Sequence, residues 1–466
     1  MELNAEHSSL QRQGVLEIPS ERLDRSEYSL IELKDTVTRL LVRIDRLLNL
    51  TVNTIIHHPR FQKLEADWRS VTYLCHEKAR YSNQRKIKIK LLDISFAMLA
   101  KDLGKVLDYE QSETYKKIYE DEYDRPGGEP YSLLLGSYKI QLKRRKGVAI
   151  SDIEVLRLLS KIAADSFAPF ICNAKPEFFG IDCFTELHPN VKLKELLKQN
   201  EYVEWNSLRA EKESRYLGCV VPDVLMRKKY QKGLYNHQLL FEETIDNEQQ
   251  RLWANGCYAF AAVTMRAFAE YGWFVTIRGM QQDKVGGGMI DGLPYESNRE
   301  YQIEIPPVRG WIQEKQSRAL EASGFIPITI IKHTPYLLLQ SNYSVFAVGE
   351  QDTDSNKLSS MLQYMLCVSR FAHYIKVISR QKVGRFISED ECEQYLERWL
   401  RQYVSASQST SMELKAKYPL RAAEIKVSSK RNSPGSFECQ MVIEPHYQLD
   451  GIESKISFTT EIKNSE

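Results

Sequence analysis

Reading from the N-terminus, apolar residues first recur at helical spacing. From Ser26 onward, Leu30, Leu33, Val37, Leu40, Leu41, Ile44, Leu47 and Leu48 follow one another at three- and four-residue steps, which predicts an amphipathic helix. Pro59 interrupts it and opens a second helix, because proline is tolerated in a first turn. In "PRFQKLEADWRSVTYLC" the residues Phe61, Leu64, Trp68, Val71 and Leu74 share one face. The period then changes to two. In "RKIKIKLLDISF", Lys86, Lys88 and Lys90 alternate with Ile87, Ile89 and Leu91, a strand pattern with one face wet or turned to a partner.

Farther along, helices are expected at residues 150–164, 248–271, 361–380 and 389–404. "SRYLGCVVPDVLM" and "GWFVTIRG" are expected strands, and "KVGGGMIDGLP" a glycine-rich turn. The end of the chain is different in character. "RAAEIKVSS", "SFECQMVIEP" and "KISFTTEIK" are three strand-like runs, and "KRNSPG" can turn the chain between the first two. The expected class is a mixed α/β (α+β) fold. Polar residues 1–53 lead in with a helix, 54–350 form a core domain, and 351–466 form a C-terminal domain of helices and strands.

Composition narrows the function. The 466 residues carry 64 basic and 62 acidic side chains, a net charge of +2. So global electrostatics give no reason to expect nucleic acid or an anionic membrane as partner. No apolar run is long enough to span a bilayer, and the N-terminus lacks a signal-peptide core. The eight cysteines, at 75, 172, 183, 219, 257, 367, 392 and 439, form no CxxC pair. Most sit inside apolar stretches and read as buried thiols, with a reducing cytoplasm as the simplest setting.

Each candidate for chemistry meets an objection. On the helix 361–380, Ser369 and His373 are four residues apart and could meet as nucleophile and base, a hydrolase reading. No elbow motif precedes them, and Arg370, Lys376 and Arg380 crowd the site. The better reading there is a basic stripe of Arg370, His373, Lys376 and Arg380 facing water or an acidic partner, behind an apolar face that docks into the core. Gly286, Gly287 and Gly288 match neither a P-loop nor a dinucleotide fingerprint, since "MIDGLP" follows instead of a helix. His57 and His58 are adjacent, so they cannot share a helical face as metal ligands do; packing and capping around Pro59 is their reading. Glu389, Glu393 and Glu397 form a charged surface. The Lys86–Lys90 strand could hold phosphates, which keeps a nucleic-acid reading open beside that of a solvated face. No catalytic residue, metal ligand or cofactor site is assigned.

Several stretches taken together resemble a known family. "IIHHPRFQKLEADWRSVTYL", "GGEPYSLLLGSY", "FAPFICNAKPEFFGIDCFTEL", "LWANGCYAFA", "LCVSRFAHYIKVISRQKVGRF", "YPLRAAEIKV" and "PHYQLDGIESKISF" run in order as in the large subunit of the type VI secretion contractile sheath, the VipB/TssC family. The resemblance covers the chain from about Ile55 to its end. It implies a phage-tail-sheath-like fold of two packed sheath domains, N-terminal helices and C-terminal strands that pair with neighbouring subunits. It also implies a non-enzymatic bacterial cytoplasmic protein whose contraction ejects an inner tube. Its partners would be a small sheath subunit (VipA/TssB type), neighbouring protomers, inner-tube hexamers and a baseplate. On this resemblance Ile425, Val427, Phe437, Met441, Ile443, Ile456 and Phe458 are placed in inter-subunit strands. The basic stripe, or alternatively the helix 389–404, would face the tube or another subunit. Two departures are noted. The N-terminal helix that a recycling AAA+ unfoldase recognises is not evident before Ser26. Asp223, in "VPDVLMR", stands where a basic residue is usual, which would alter a local ion pair.

Overall fold

A computed structural model describes residues 30–81, 87–123, 125, 127–187, 193–231, 241–281, 285–298, 303–349, 353–382, 389–405, 412–429, 437–446 and 456–462. At 30–32, 194, 297–298, 303–305, 354, 379–382, 412–413, 429, 437–438 and 456–462 only the backbone is described. The chain divides into two compact units: Met1–His58 with Tyr230–Thr244, and Pro59–Lys229 with Ile245–Glu466.

The first unit is built on α1 (Leu30–Ile56). Three polar residues at four-residue steps line one side of its last turns and hold the segment 242–244. Asn49 Oδ1 accepts from the Glu242 N–H (2.9 Å), and Asn53 Oδ1 accepts from the Thr244 N–H (3.0 Å). His57 Nε2 meets Glu243 Oε1 at 3.1 Å. This corrects the reading of His57 as a local packing and capping residue. The apolar stripe of α1, including Leu33, Val37, Leu41, Ile44 and Leu47, is exposed.

In the second unit, α2 (Pro59–Arg80) buries Ala66, Ser70, Tyr73, Leu74 and Glu77. Of the face marked by its large apolar residues, Phe61, Leu64 and Trp68 are exposed. The buried side instead runs through Ala66, Ser70, Tyr73 and Glu77, with Leu74 also buried. Residues 87–94 form no strand. They run without a ladder partner into Ser95, whose side chain caps α3 (Phe96–Leu103). The alternation in that stretch is real, with Ile87 and Ile89 half-buried and Lys88 and Lys90 exposed. Among the described residues no strand pairs with it to make a sheet.

The core is a six-stranded sheet. β1 (Leu134–Ile140) leads through α4 (Asp152–Asp165) to β2 (Phe170–Ala174), and α5 (Val203–Ala210) precedes β3 (Leu217–Val221). Then come the short pair β4 (Val224–Leu225) and β5 (Trp253–Ala254), and α6 (Cys257–Tyr271). β6 (Met289–Ile290), a two-stranded pair β7 (Glu296–Asn298) and β8 (Ile303–Ile305), and α7 (Glu314–Ala322) follow. β9 (Ile326–Ile330) and β10 (Leu337–Leu339) complete the sheet in the order β1-β2-β3-β9-β10-β6. The first four strands are parallel, and β10 is antiparallel to both of its neighbours.

Both faces of this sheet are covered, as parallel strands require. Phe170, Cys172, Leu217, Cys219 and Val221 join a core with α3, α4 and α5. Ile171, Val220, Ile326 and Ile328 point the other way, into a core with α6. The helix expected at 248–271 starts only at Cys257, after β5. The strand expected in "GWFVTIRG" is an irregular turn whose Trp273, Phe274, Val275 and Ile277 are buried. Its apolar content reflects burial, and burial alone does not make a strand.

The C-terminal part adds α8 (Asp354–Ser359), α9 (Leu362–Lys382), α10 (Glu389–Arg401) and α11 (Met412–Lys417). It ends in a three-stranded antiparallel sheet, β11 (Leu420–Ser429), β12 (Phe437–Pro445) and β13 (Ile456–Ile462). α9 lies on the sheet face opposite α4. Gly218 permits this, since a Cβ there would sit 2.9 Å from Leu362 Cδ1.

Candidate interaction surfaces

Helix α9 carries the residues singled out for chemistry or docking, and its surroundings decide between these roles. Ser369 and His373 are buried. His373 Nε2 donates to the Ser166 carbonyl at 3.0 Å. That spends the nitrogen a general base would use. Burial pulls the imidazole down to about 4, against a smaller upward pull from the Ser166 bond; Lys376 and Arg370 add to the fall. Ser369 sits beside the phenol of Tyr216, which is partly buried. The pair therefore has no poised base and no open substrate space, and the hydrolase reading is not supported.

Within the chain, aromatic rings engage two cations of the basic stripe, Arg370 and Lys376, both half-buried. Lys376 Nζ lies 4.9, 4.6 and 5.0 Å from the ring centres of Tyr119, Tyr123 and Phe167. The Arg370 guanidinium lies over Phe268 (4.5 Å), Tyr374 (4.8 Å) and Trp273 (5.5 Å). These are cation–π cages, in which aromatic faces replace part of the water lost on burial. A helical projection separates charge from oil, but it cannot see a second layer of tyrosines. That layer comes from the irregular helical stretch 109–123, where Tyr115, Tyr119 and Tyr123 stack at 5.1 and 4.8 Å. The Arg380 side chain lies outside the described residues.

The lysine strand loses its phosphate reading in the same way. Lys88 pairs with Glu129 at 2.5 Å and Lys90 with Glu122, and Lys86 lies outside the described residues. The glycine-rich turn presents carbonyls inward: buried Arg266 donates to the carbonyls of Gly287 (2.9 Å) and Met289 (2.5 Å). A phosphate cradle needs N–H groups at that place. Among the described residues there is no group of three potential metal ligands, and no helix is long and apolar enough to cross a membrane.

The terminal sheet remains. Its register sets Ile425 opposite Met441 and Met441 opposite Phe458, with Val427 opposite Cys439 and Ile443 opposite Ile456. Ile425, Val427, Cys439, Met441 and Ile443 are buried, in one cluster with Cys392, Leu396 and Leu400 of α10. The side chains of Phe437, Ile456 and Phe458 lie outside the described ones. β12 is paired on both sides. The outer side of β11 is engaged at its start by residues 403–405, through Ser405 N–H to Leu420 O (2.9 Å), and near its end by Glu393. β13 is an end strand of the sheet. The described apolar side chains thus serve the chain's own core, and what they leave for a neighbour is backbone edge.

Asp223 proves informative. It is fully buried and pairs with Lys139 (2.6 Å) and Arg309 (3.5 Å). The local ion pair expected to change there is a two-cation clamp across the ends of β1 and β3. Nothing near Asp223 in sequence announces it, because its partners are 84 and 86 residues away.

Comparison with known proteins closes the identification. The family model described as the EvpB/VC_A0108 tail sheath N-terminal domain matches residues 38–346, and the tail sheath gpW/gp25-like domain matches 351–462. The type VI secretion system sheath protein TssC1 of Pseudomonas aeruginosa is 32% identical over 443 residues, covering 92% of this chain and 86% of that protein. Two solved structures are more distant. The sheath tail protein Lin1278 of Listeria innocua has 12% identity and a TM-score of 0.33, over 68% of this chain and 56% of that one. The anti-feeding prophage baseplate has 9% identity and a TM-score of 0.35, over 82% and 81%. On the family match and the TssC1 identity, the chain belongs to the VipB tail sheath family, the contractile sheath subunits of type VI secretion.

Proposed function

We infer that the chain acts as the large subunit of the sheath, working by assembly and without catalysis of its own. The observation that carries this reading is family identity running through 92% of the chain. Exposed apolar side chains support an assembly role: Leu33, Val37, Leu41 and Leu47 on α1, and Phe61, Leu64 and Trp68 on α2. Exposed apolar stripes on helices mark candidate protein interfaces. The proposed partners are a small sheath subunit, neighbouring protomers, inner-tube hexamers and a baseplate, in the bacterial cytoplasm. A disassembly unfoldase would be a further partner. The proposed division is 1–53, 54–350 and 351–466.

Assembly by strand pairing suits such a device. Ladder bonds between backbones tolerate sequence and hold while subunit bodies rotate. In the proposed lattice the sheet bearing Ile425, Val427, Phe437, Met441, Ile443, Ile456 and Phe458 meets strands of other subunits at its outer edge along β13, since β12 is paired on both sides. Contraction would draw on better burial in the short state. Repacking even ~100 Å² of apolar surface per subunit is worth about 2.5 kcal/mol, multiplied over the whole tube. Co-expression with the small subunit, followed by negative-stain microscopy, tests the reading. Helical tubes are the expected product; a persistent mixture of separate, unassembled chains would refute it.

A further inference from the structure

Where β1 and β2 end and α6 begins, the second unit opens a cleft of about 520 Å³, within the ~300–1,000 Å³ range of ligand sites. Six cations line it: Lys63 of α2, Lys139 of β1, Arg145, Lys175 just after β2, Arg251 and Arg309. Four carboxylates answer them. Asp223 is shared by Lys139 and Arg309, Asp152 holds Arg145 (2.8 Å), Glu296 holds Arg251 (2.8 Å), and Asp67 lines the cleft. Two positive charges are left over. Lys63 has no acidic partner among the described residues, and Lys175 Nζ reaches only the neutral Gln141 Oε1 (2.7 Å).

Two polar atoms of the lining are also buried and unpartnered: Arg309 Nε, a donor, and Oδ1 of Asn255, an acceptor on a residue that is 5% exposed. The amide orientation of Asn255 is fixed. Ser137 gives its proton to Asp67 Oδ1 (2.5 Å), so Asn255 Nδ2 must donate to Ser137 Oγ (3.2 Å). Orphaned buried groups are costly, and here they face a space large enough to be filled. The missing occupant needs anionic oxygens for Lys63, Lys175 and Arg309, and an N–H or O–H for Asn255. A bare phosphoryl group supplies the first but is poor in the second. The start of α6 does not favour phosphate either, since the Cys257 N–H is already taken by Asn173 Oδ1 (3.0 Å). A polypeptide rich in Asp or Glu supplies both.

We propose that this cleft receives an acidic peptide segment of another sheath subunit, with carboxylates on Lys63, Lys175 and Arg309 and a peptide N–H on Asn255. The proposal rests on the sheath reading above and names one of its contacts. Its test uses the complex with the small subunit, carrying the photo-crosslinker p-benzoylphenylalanine in place of Gln62, which lines the cleft. Irradiation of assembled tubes should join this position to a peptide of another subunit containing at least two acidic residues. A crosslink confined to the same chain, or to a segment without acidic residues, overturns the proposal. In parallel, a synthetic Glu-Asp peptide should bind the wild-type complex about tenfold or more tightly than the Lys63→Gln/Lys175→Gln complex. Lys63 is exposed and Lys175 half-buried with only a neutral partner, so the variant should keep its fold and unfolding temperature. Equal binding by the two complexes also overturns the proposal, as does pyrophosphate binding the wild type while the peptide does not. Because the peptide arm does not need tubes, absent tubes would count against the sheath reading alone.

Discussion

The Glu393 carboxylate, on α10, accepts a hydrogen bond from the backbone N–H of Val427, in β11, at 2.9 Å. A side chain from a helix thereby occupies a strand donor that would otherwise be open to a neighbour. Charge-assisted bonds of this kind contribute more than neutral ones. The Glu393→Ala complex is expected to lose about 2 kcal/mol of stability and to expose the outer edge of β11. Thermal unfolding should report the loss, and light scattering should report increased self-association. An unchanged midpoint with unchanged scattering would show that the edge is closed by other means.

His373 makes stability depend on pH. Its folded-state value, about 4, lies below the ordinary 6.5, so the native protein holds it neutral where the unfolded chain binds a proton. The stability it contributes is complete above about pH 6.5 and is lost as pH falls towards 4, by at most about 3 kcal/mol. Other groups face it: the Ser166 carbonyl, the Tyr123 and Phe167 rings, and the cations Arg370 and Lys376. Chemical denaturation of the complex between pH 7 and 5 should show this slope. His373→Gln, which keeps a donor but cannot titrate, should flatten it.

Because Lys376 and Arg370 are caged by rings, their loss should be felt in folding and not in docking. Lys376→Ala is expected to cost about 1–2 kcal/mol, read as a lower unfolding temperature. The salt dependence of tube assembly should not change. A variant that unfolds normally but assembles with altered salt dependence would place Lys376 at an interface.

Arg266 is the strut of the glycine-rich turn. Its guanidinium bonds two carbonyls and lies 3.5 Å from Asp291. Arg266→Ala leaves those groups buried and unanswered, at a cost of about 3 kcal/mol. Hydrogen exchange should then quicken at the Gly288 amide, which is bonded to Gly279 O at 2.7 Å.

Some of this was legible in the sequence. Long periodic runs became helices near their expected places, α9 and α10 among them, because an amphipathic stripe survives any tertiary setting. The three terminal strands were legible from alternation in "EIKVS" and from the turn residues between the first two. What failed did so for tertiary reasons. Ile87 and Ile89 alternate with lysines but have no strand beside them. Trp273 to Ile277 are apolar because they are buried in a turn. Phe61, Leu64 and Trp68 looked like a buried face, yet Ala66 and Ser70 took the interior. The cationic cleft was illegible altogether, since Lys63, Lys139, Lys175 and Arg309 converge from positions spread over nearly 250 residues. A four-residue spacing of Asn49, Asn53 and His57 was the one missed signal visible in the chain itself.

In the proposed tube the terminal sheet joins chains through a backbone edge while Ile425, Val427, Met441 and Ile443 stay in their own core. A high-resolution cryo-EM map of tubes formed with the small subunit measures this directly. The expected result is a strand of another subunit hydrogen-bonded along the outer side of β13, with Met441 and Ile443 still packed against α10. A map in which β11, β12 and β13 touch no strand of any neighbour would contradict it.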